Sequence, residues 1–236
     1  MRVLGIESSG TTASVALIED DQLVAEYTMC NTMKHSKTLM PMLEDMLKRL
    51  ETDINTIDLV SVTEGPGSFT GLRIGSATAK GIAQGLNLKI ASIRTLEVIA
   101  SQIQIPEAKV GVIVFARARE VYYATYTIKF EDGQFYPLED KAIVALELDD
   151  LLEQLKGIDE PFYIIGDGIT KFKSEFKDIN SKILVPAPIF CSNSAKNVAI
   201  LGLRRYYNND VMTCYEQKPY YHKKSQAERE YEERHQ

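Results

Sequence analysis

The sequence predicts an α/β protein of two related lobes, each with a mixed sheet and flanking helices. Its 236 residues suffice for one large domain or for two lobes of about a hundred residues each. Three strand-like segments are followed by alternating helices and strands, and a similar order starts again after Pro106. We therefore predict an N-terminal lobe at 1–105 and a C-terminal lobe at 106–236. The last ~20 residues are candidates for packing back on the first lobe.

The first lobe has the predicted order βββαβαβα. Apolar runs alternate with turn residues between positions 2 and 29, which predicts a three-stranded meander. In "HSKTLMPMLEDMLKRLE" the leucines recur at helical spacing; Ser36 is a candidate cap, and Pro41 is tolerable only in the first turn. A short apolar strand then precedes "TGLRIGSATAKGIAQGLN", which has the length and periodicity of a helix. A further strand and helix complete the lobe.

The second lobe repeats this pattern without repeating its residues. Its predicted elements are strands in "KVGVIVFA", "REVYYATYTIKF" and "QFYPLEDKAIVAL", a helix at Glu147–Lys156, a strand in "PFYIIGDG", a short helix after Gly168 and an apolar helix at Ala195–Tyr207.

Composition and charge narrow the functional classes. Hydrophobic residues make up 44% and charged residues 25%, as in ordinary globular proteins. A net charge of -6 argues against a surface that binds nucleic acid unaided, so we expect any RNA to be held through a partner. We expect a cytoplasmic protein with reduced thiols and no membrane contact, because the three cysteines are scattered and the first residues lack a signal-peptide apolar run.

The glycine-rich stretch that starts at Gly65 raises the question of a nucleotide site. A P-loop needs G-x-x-x-x-G-K-[ST], but Gly65 and Gly71 are too far apart and no Lys-Ser or Lys-Thr follows. In the dinucleotide pattern G-x-G-x-x-G, Gly65 and Gly67 fit, but the third position holds Thr70. The spacing therefore disfavours a phosphate-binding loop.

A helical wheel explains the glycines better. One arc is polar and contains Arg73, Ser76, Lys80, Gln84 and Asn87. The centre of the opposite arc is built mostly from small residues: Gly71, Gly75, Thr78, Ala79 and Ile82. Glycines inside a helix cost roughly 1 kcal/mol each relative to alanine, so a close contact must offset them. The arc is wide enough for the helix's own sheet on one edge and a second helix on the other. The residues alone leave open whether that second helix belongs to the same chain or to another subunit.

The stretch "EGPGSFTGLRIG" resembles the hallmark of the TsaB family, also called YeaZ. Further matches follow in family order: "GIESSGTTASVAL", "HSKTLMPML", "ARAREVYYATY", "IIGDG" and "KPYYHKKSQAE". The resemblance covers nearly the whole chain. It implies the actin-like ATPase (ribonuclease H-like) fold of two related lobes, in agreement with the duplicated pattern.

The resemblance also implies a function. TsaB-like proteins are non-catalytic subunits required for threonylcarbamoylation of the adenosine next to the anticodon, in tRNAs reading codons that begin with adenine. They bind a TsaD-like transferase through the glycine-rich helix, homodimerise through the same face when alone, and are joined by a TsaE-like ATPase. No cofactor is implied. The interface residues carried over to this chain are Gly71, Arg73, Ile74, Gly75, Thr78, Ala79 and Ile82.

The main alternative is an actin-like ATPase or small-molecule kinase. It would bind its nucleotide between the lobes at Glu7–Thr12 and Gly166–Gly168, although tight turns use the same residue types. Glu7 stands where many relatives have Asp, Phe115 replaces an Asp and His222 an Arg, and the change at Glu7 weakens the ATPase alternative. A TsaD-type peptidase or transferase would need HxxxH for its metal, a spacing that the chain's three histidines do not provide. We therefore expect neither a metal site nor catalytic residues.

Overall fold

The computed structural model describes residues 1–30, 35–177, 179–187, 189 and 193–222. They form two five-stranded sheets with flanking helices. The end of the chain after residue 222 lies outside the described residues; it is most of the segment that the sequence analysis gives as a candidate for packing back on the first lobe.

The first sheet has the strand order β3-β2-β1-β4-β5. Its strands are β1 (Arg2–Glu7), β2 (Ala13–Glu19), β3 (Gln22–Met29), β4 (Leu59–Gly65) and β5 (Lys89–Arg94). The first three strands pair antiparallel as a meander, whereas β4 pairs parallel with β1 and β5 pairs parallel with β4.

The second sheet repeats this topology as β8-β7-β6-β9-β10. Its strands are β6 (Lys109–Arg117), β7 (Glu120–Glu131), β8 (Gln134–Glu147), β9 (Phe162–Ile165) and β10 (Ile183–Leu184). Again the first three strands are antiparallel and the last two are added in parallel. The duplicated arrangement confirms the predicted actin-like fold; only the two-residue β10 was not predicted.

The helices are α1 (His35–Arg49), α2 (Phe69–Leu86), α3 (Thr95–Ala100), α4 (Leu148–Lys156), α5 (Asp167–Lys171) and α6 (Ala195–Tyr207), with a short 3-10 helix at Ile54–Thr56. The bounds of α6 are those predicted. The expectation that Pro41 lies in the first turn was wrong, because Pro41 is the seventh residue of α1. It is tolerated on the exposed side of the helix, where water can reach the carbonyl of Lys37 that loses its helical partner.

Helices cover both faces of the first sheet. Leu4 and Ile6 of β1 point into the core beneath α1 and α2. Val3 points to the opposite face, where it packs with α6. A β-carbon on Gly5 would lie 2.2 Å from the Ala195 carbonyl oxygen, so α6 rests directly on the backbone of β1.

Two helices pack across the predicted lobe division. Helix α3 precedes residue 105, yet Leu96 and Ile99 pack with Val110 and Val112 of the second sheet. Helix α6 follows that residue and packs on the first sheet. The division itself stays a prediction. Within the described ranges, no helix has both the length and the hydropathy needed to span a bilayer.

An ion pair joins the two crossing helices. Arg205 of α6 donates from Nη2 to both carboxylate oxygens of Glu97 in α3, at 3.1 and 2.8 Å. Burial raises the pKa of the Glu97 carboxyl, and the charge of Arg205 opposes that rise. The pair therefore fixes α3 and α6 against each other between the sheets.

Candidate partner interface and adjoining cleft

Helix α2 has well-defined ends. Ser68 is its N-cap residue, and the Ser68 side chain accepts a hydrogen bond from the Gly71 amide at 3.2 Å. Asn87 ends the helix in the left-handed conformation, with its amide bonded to the carbonyls of Ala83 and Gln84. These caps confirm the helix that the sequence predicts after the glycine-rich loop.

The first turn of α2 lies against the turn between β1 and β2. A β-carbon on Gly71 would come within 2.0 Å of the Ser8 carbonyl oxygen, and one on Gly67 within 2.2 Å of the Ser9 carbonyl oxygen. The Ser68 amide donates to the Ser9 carbonyl at 2.6 Å, and the Ser8 hydroxyl donates to the Gly71 carbonyl at 2.9 Å. The glycines here allow two segments of the same backbone to touch.

The seven predicted interface residues divide between two environments. Gly71, Gly75 and Ala79 are buried against their own chain; a β-carbon on Gly75 would lie 2.3 Å from the Ser8 hydroxyl oxygen. Ile74, Thr78 and Ile82 are half-buried, and Arg73 is exposed. Ile74 and Ile82 also pack on the core beneath α1. The sequence did not decide whether the small-residue arc contacts its own chain or another subunit. In the structure, the inward residues of the arc pack against their own chain.

The outward side of α2 carries small residues that the sequence analysis did not single out. Ala77, Gly81 and Gly85 are exposed at successive four-residue intervals. A β-carbon on Gly81 or Gly85 would meet no atom within 4 Å. We call these three residues, with the neighbouring Ile74 and Thr78, the outer α2 face. The described fold offers no contact that offsets the cost of the two exposed helical glycines.

Residues 217–222 cover the other flank of α2. Gln217 is fully buried and accepts a hydrogen bond from the Ser76 hydroxyl at 2.6 Å. The Tyr220 amide donates to the Glu64 carbonyl at 2.6 Å, and a β-carbon on Gly65 would lie 2.4 Å from the Tyr220 carbonyl oxygen. The wheel placed Ser76 in the polar arc, yet the residue is buried, and Gln217 satisfies its hydroxyl.

The side chain of Arg94 supports this segment from β5. Its guanidinium lies 3.5 Å from the centre of the Tyr220 ring and pairs with the Glu64 carboxylate at 3.0 Å. Burial raises the pKa of the Glu64 carboxyl, whereas the charge of Arg94 lowers it. The glycine motif, β5 and the C-terminal segment thus form one packed unit.

At the first turns of α2, Arg73 is held by two aromatic rings. Its guanidinium lies 3.9 Å from the centre of the Phe69 ring, and its Nε donates to the Tyr221 hydroxyl at 3.2 Å. The two rings are themselves 4.7 Å apart between centres. Arg73 is therefore exposed to solvent, but Phe69 and Tyr221 restrict the orientation of its guanidinium.

The cleft candidate at Glu7–Thr12 contains a buried carboxylate that the chain itself surrounds. Glu7 is fully buried, and its Oε1 accepts hydrogen bonds from the amide and hydroxyl of Ser9, both at 2.6 Å, and from Asn193 Nδ2 at 3.1 Å. Its Oε2 accepts a short hydrogen bond from the Thr63 hydroxyl. The amide of Ser9, which a phosphate-binding turn would use, is engaged by this carboxylate.

The second cleft candidate, Gly166–Gly168, comprises the residue that joins β9 to α5 and the first two residues of α5. A β-carbon on Gly166 would lie 2.2 Å from the Ile113 carbonyl oxygen. The Asp167 carboxylate accepts the Phe115 amide at 2.9 Å. Burial raises the pKa of Asp167, and backbone hydrogen bonds oppose that rise. The glycines and the acid therefore take part in packing α5 on β6.

The histidines occupy separate places. The buried His35 begins α1 and contacts the Gly10 carbonyl through Nε2 at 2.9 Å. His222 contacts Tyr220 and Tyr122, and His235 lies outside the described residues. In the parts of the chain that the structure describes, no group of three His, Cys, Asp or Glu side chains is arranged to hold a metal ion.

Comparison with known proteins decides the family. Residues 30–230 match the family model described as tRNA N6-adenosine threonylcarbamoyltransferase, TsaD. The tRNA threonylcarbamoyladenosine biosynthesis protein TsaB of Escherichia coli (strain K12) is 30% identical over 214 residues, which cover 85% of this chain and 91% of that protein. The chain belongs to the TsaB family. The TsaB protein of Bacillus subtilis (strain 168) is likewise 30% identical, over 76% of both chains.

A solved structure confirms the fold independently of sequence. YeaZ from Pseudomonas aeruginosa superposes with a TM-score of 0.75 at 20% sequence identity, covering 93% of this chain and 99% of that one. The resemblance found in the glycine motif and the actin-like fold are thus both confirmed for this TsaB-family chain.

Glycines on opposite sides of α2 provide a matched test of this geometry. Gly71→Ala is expected to lower the free energy of unfolding by about 3 kcal/mol, because its β-carbon would collide with backbone that cannot move away. Gly85→Ala is expected to raise it by about 1 kcal/mol, because the methyl group enters open space and improves helix propensity. Urea unfolding followed by circular dichroism measures both changes. Equal effects of the two substitutions would contradict the assignment of inner and outer sides.

Proposed function

We propose that this TsaB-family chain acts in tRNA threonylcarbamoyladenosine biosynthesis as a non-catalytic subunit. It binds and supports a TsaD-type transferase, which modifies the adenosine next to the anticodon in tRNAs reading codons that begin with adenine. The names of its relatives support the pathway. The observation that carries the subunit role is the outer α2 face, where Gly81 and Gly85 have open space.

A partner helix accounts for the composition of this face. Small residues at four-residue spacing let a second helix approach until the backbones are in contact. That contact would offset the roughly 1 kcal/mol that each exposed helical glycine costs. Of the residues predicted for the interface, Ile74 and Thr78 belong to this face and Arg73 and Ile82 border it. Ala77, Gly81 and Gly85 complete the face. Gly71, Gly75 and Ala79 contribute by setting α2 against its own sheet.

The same face serves self-association and partner binding in this proposal. When the chain is alone, two copies pair through α2, and the TsaD-type subunit replaces one copy in the heterodimer. A TsaE-like ATPase joins the larger complex. The net charge of -6 supports contact with tRNA through the complex and not by this chain alone. The proposed setting is the cytoplasm.

The buried Glu7 supports a role without nucleotide chemistry. Its carboxylate is surrounded by donors from its own chain, and its negative charge would oppose a phosphate at this turn. An actin-like ATPase or kinase would need the Ser9 amide and hydroxyl that Glu7 engages. The TsaD-type peptidase alternative lacks the paired histidines in sequence.

Calorimetry separates the subunit from the ATPase. Titration of the isolated chain with ATP and magnesium is expected to give no saturable heat, because the amide and hydroxyl of Ser9 are bonded to the buried Glu7 carboxylate. The same preparation titrated with its TsaD-type partner serves as the positive control. A micromolar dissociation constant for ATP would contradict the purely supporting role.

Substitutions on the outer α2 face test the interface. Ala77→Arg and Gly81→Arg are expected to abolish co-purification with the TsaD-type partner and to lower threonylcarbamoyladenosine in cells that rely on the variant. Neither substitution should lower the melting temperature of the chain, because both positions face solvent. Arginine at Gly75 or Ala79 is unsuitable for this purpose because those positions face the sheet.

The matched control for these variants is Ala142→Arg, at an exposed position of β8 in the second sheet. It adds the same side chain and should leave partner binding unchanged. Survival of the complex in both α2 variants would place the interface elsewhere.

A further inference from the structure

Arg73 differs from the other arginines in how its charge is balanced. Eight arginines lie in the described part of the chain. Seven of them pair with an aspartate or glutamate, from Arg2 with Glu19 to Arg205 with Glu97. Within the same ranges Arg73 makes no such pair; its described partners are the ring of Phe69 and the hydroxyl of Tyr221. Its charge is therefore not balanced within the described chain.

The surroundings of Arg73 restrict its orientation. A free arginine side chain occupies many rotamers, and that freedom is lost when a partner fixes it. Stacking on Phe69 at 3.9 Å and the bond from Nε to Tyr221 at 3.2 Å reduce that freedom beforehand. Because Nε is used, the two terminal nitrogens form the edge that remains for a new partner. A planar edge with two N–H donors side by side matches a carboxylate.

The position of Arg73 links this edge to the outer α2 face. Arg73 lies four residues before Ala77, so it stands one turn before the row formed by Ala77, Gly81 and Gly85. A partner helix that packs on these small residues would pass Arg73 at the N-terminal end of the row. Any acidic side chain carried there by the partner would reach the guanidinium.

The charges favour a protein carboxylate over an RNA phosphate. Surfaces that bind RNA backbone present several uncompensated Lys and Arg side chains together. Here the other described arginines are paired, and the chain as a whole carries a net charge of -6. A single oriented guanidinium at the end of the proposed helix contact fits an ion pair between subunits.

We propose that Arg73, oriented by Phe69 and Tyr221, binds a carboxylate side chain of the TsaD-type partner at the end of the outer α2 face. This inference rests on the proposed function and specifies what the face recognises. Tyr221 is a positioning residue: it acts on the partner through Arg73. The C-terminal segment thereby contributes to partner binding through the orientation of one side chain.

The test is calorimetric titration of the full chain with its TsaD-type partner at low and high salt. Arg73→Gln is expected to weaken binding about tenfold or more and to reduce its salt dependence. Arg73→Lys keeps the charge but loses the fork, so it should also weaken binding. Arg119→Gln is the control. Arg119 lies in the turn between β6 and β7 and pairs with Asp149. Its substitution should leave the affinity unchanged.

A double-mutant cycle separates positioning from a structural role of Tyr221. Tyr221→Phe keeps the ring against Phe69 but removes the hydroxyl that accepts from Arg73. It should weaken binding about threefold in the wild-type background and have no further effect in Arg73→Gln. Equal losses in both backgrounds would show that Tyr221 acts independently of Arg73 and would overturn its assigned role.

The remaining outcomes distinguish this inference from the proposed function. If Gly81→Arg abolishes the complex while Arg73→Gln keeps wild-type affinity and salt dependence, the ion pair is refuted and the helix interface stands. If the wild-type chain does not bind the transferase, both fail. If Arg73→Gln weakens only the retention of tRNA by the complex, the partner of Arg73 is a phosphate and the carboxylate is refuted.

Discussion

The contact between the first turn of α2 and the β1–β2 turn determines the rest of the candidate site. Gly71 and Gly67 leave no room for a β-carbon against the carbonyls of Ser8 and Ser9. Two backbones in contact fix the rotation of α2 about its axis, because any other rotation would insert a side chain between them. The exposed positions of Ala77, Gly81 and Gly85 follow from that rotation. The contact within the chain therefore selects the face that we propose for the partner.

The same contact involves the cleft where an actin-like ATPase would bind phosphate. Ser9 accepts the Ser68 amide with its carbonyl and gives its own amide and hydroxyl to Glu7. Donors that are bonded to a buried carboxylate are not free to bind a phosphate group at this turn. Thr63 and Asn193 complete the shell around that carboxylate from β4 and from the segment before α6. Ser9 thus takes part both in the packing that orients α2 and in the hydrogen bonds that surround the Glu7 carboxylate.

Periodicity and spacing predicted much of this from the sequence. The order of the helices and strands along the chain and the bounds of α6 could be predicted, because apolar repeats report which residues enter a core. The side of α2 on which each glycine lies, inward or outward, could not be predicted. A glycine has no side chain whose hydropathy reports its surroundings, so Gly71 and Gly85 are equivalent in sequence although one touches backbone and the other faces solvent. The helical wheel placed Ser76 on the polar side, but Ser76 is buried. Its hydroxyl can be buried because Gln217 accepts its hydrogen bond.

Methyl NMR can show whether the outer α2 face receives the TsaD-type partner. The chain, labelled at isoleucine methyl groups, is titrated with unlabelled partner while Ile74 and Ile82 on α2 are compared with Ile164, buried in the second sheet. We predict that the signals of Ile74 and Ile82 shift or broaden at stoichiometric partner while that of Ile164 keeps its position. Formation of the complex with Ile74 and Ile82 unperturbed would contradict it.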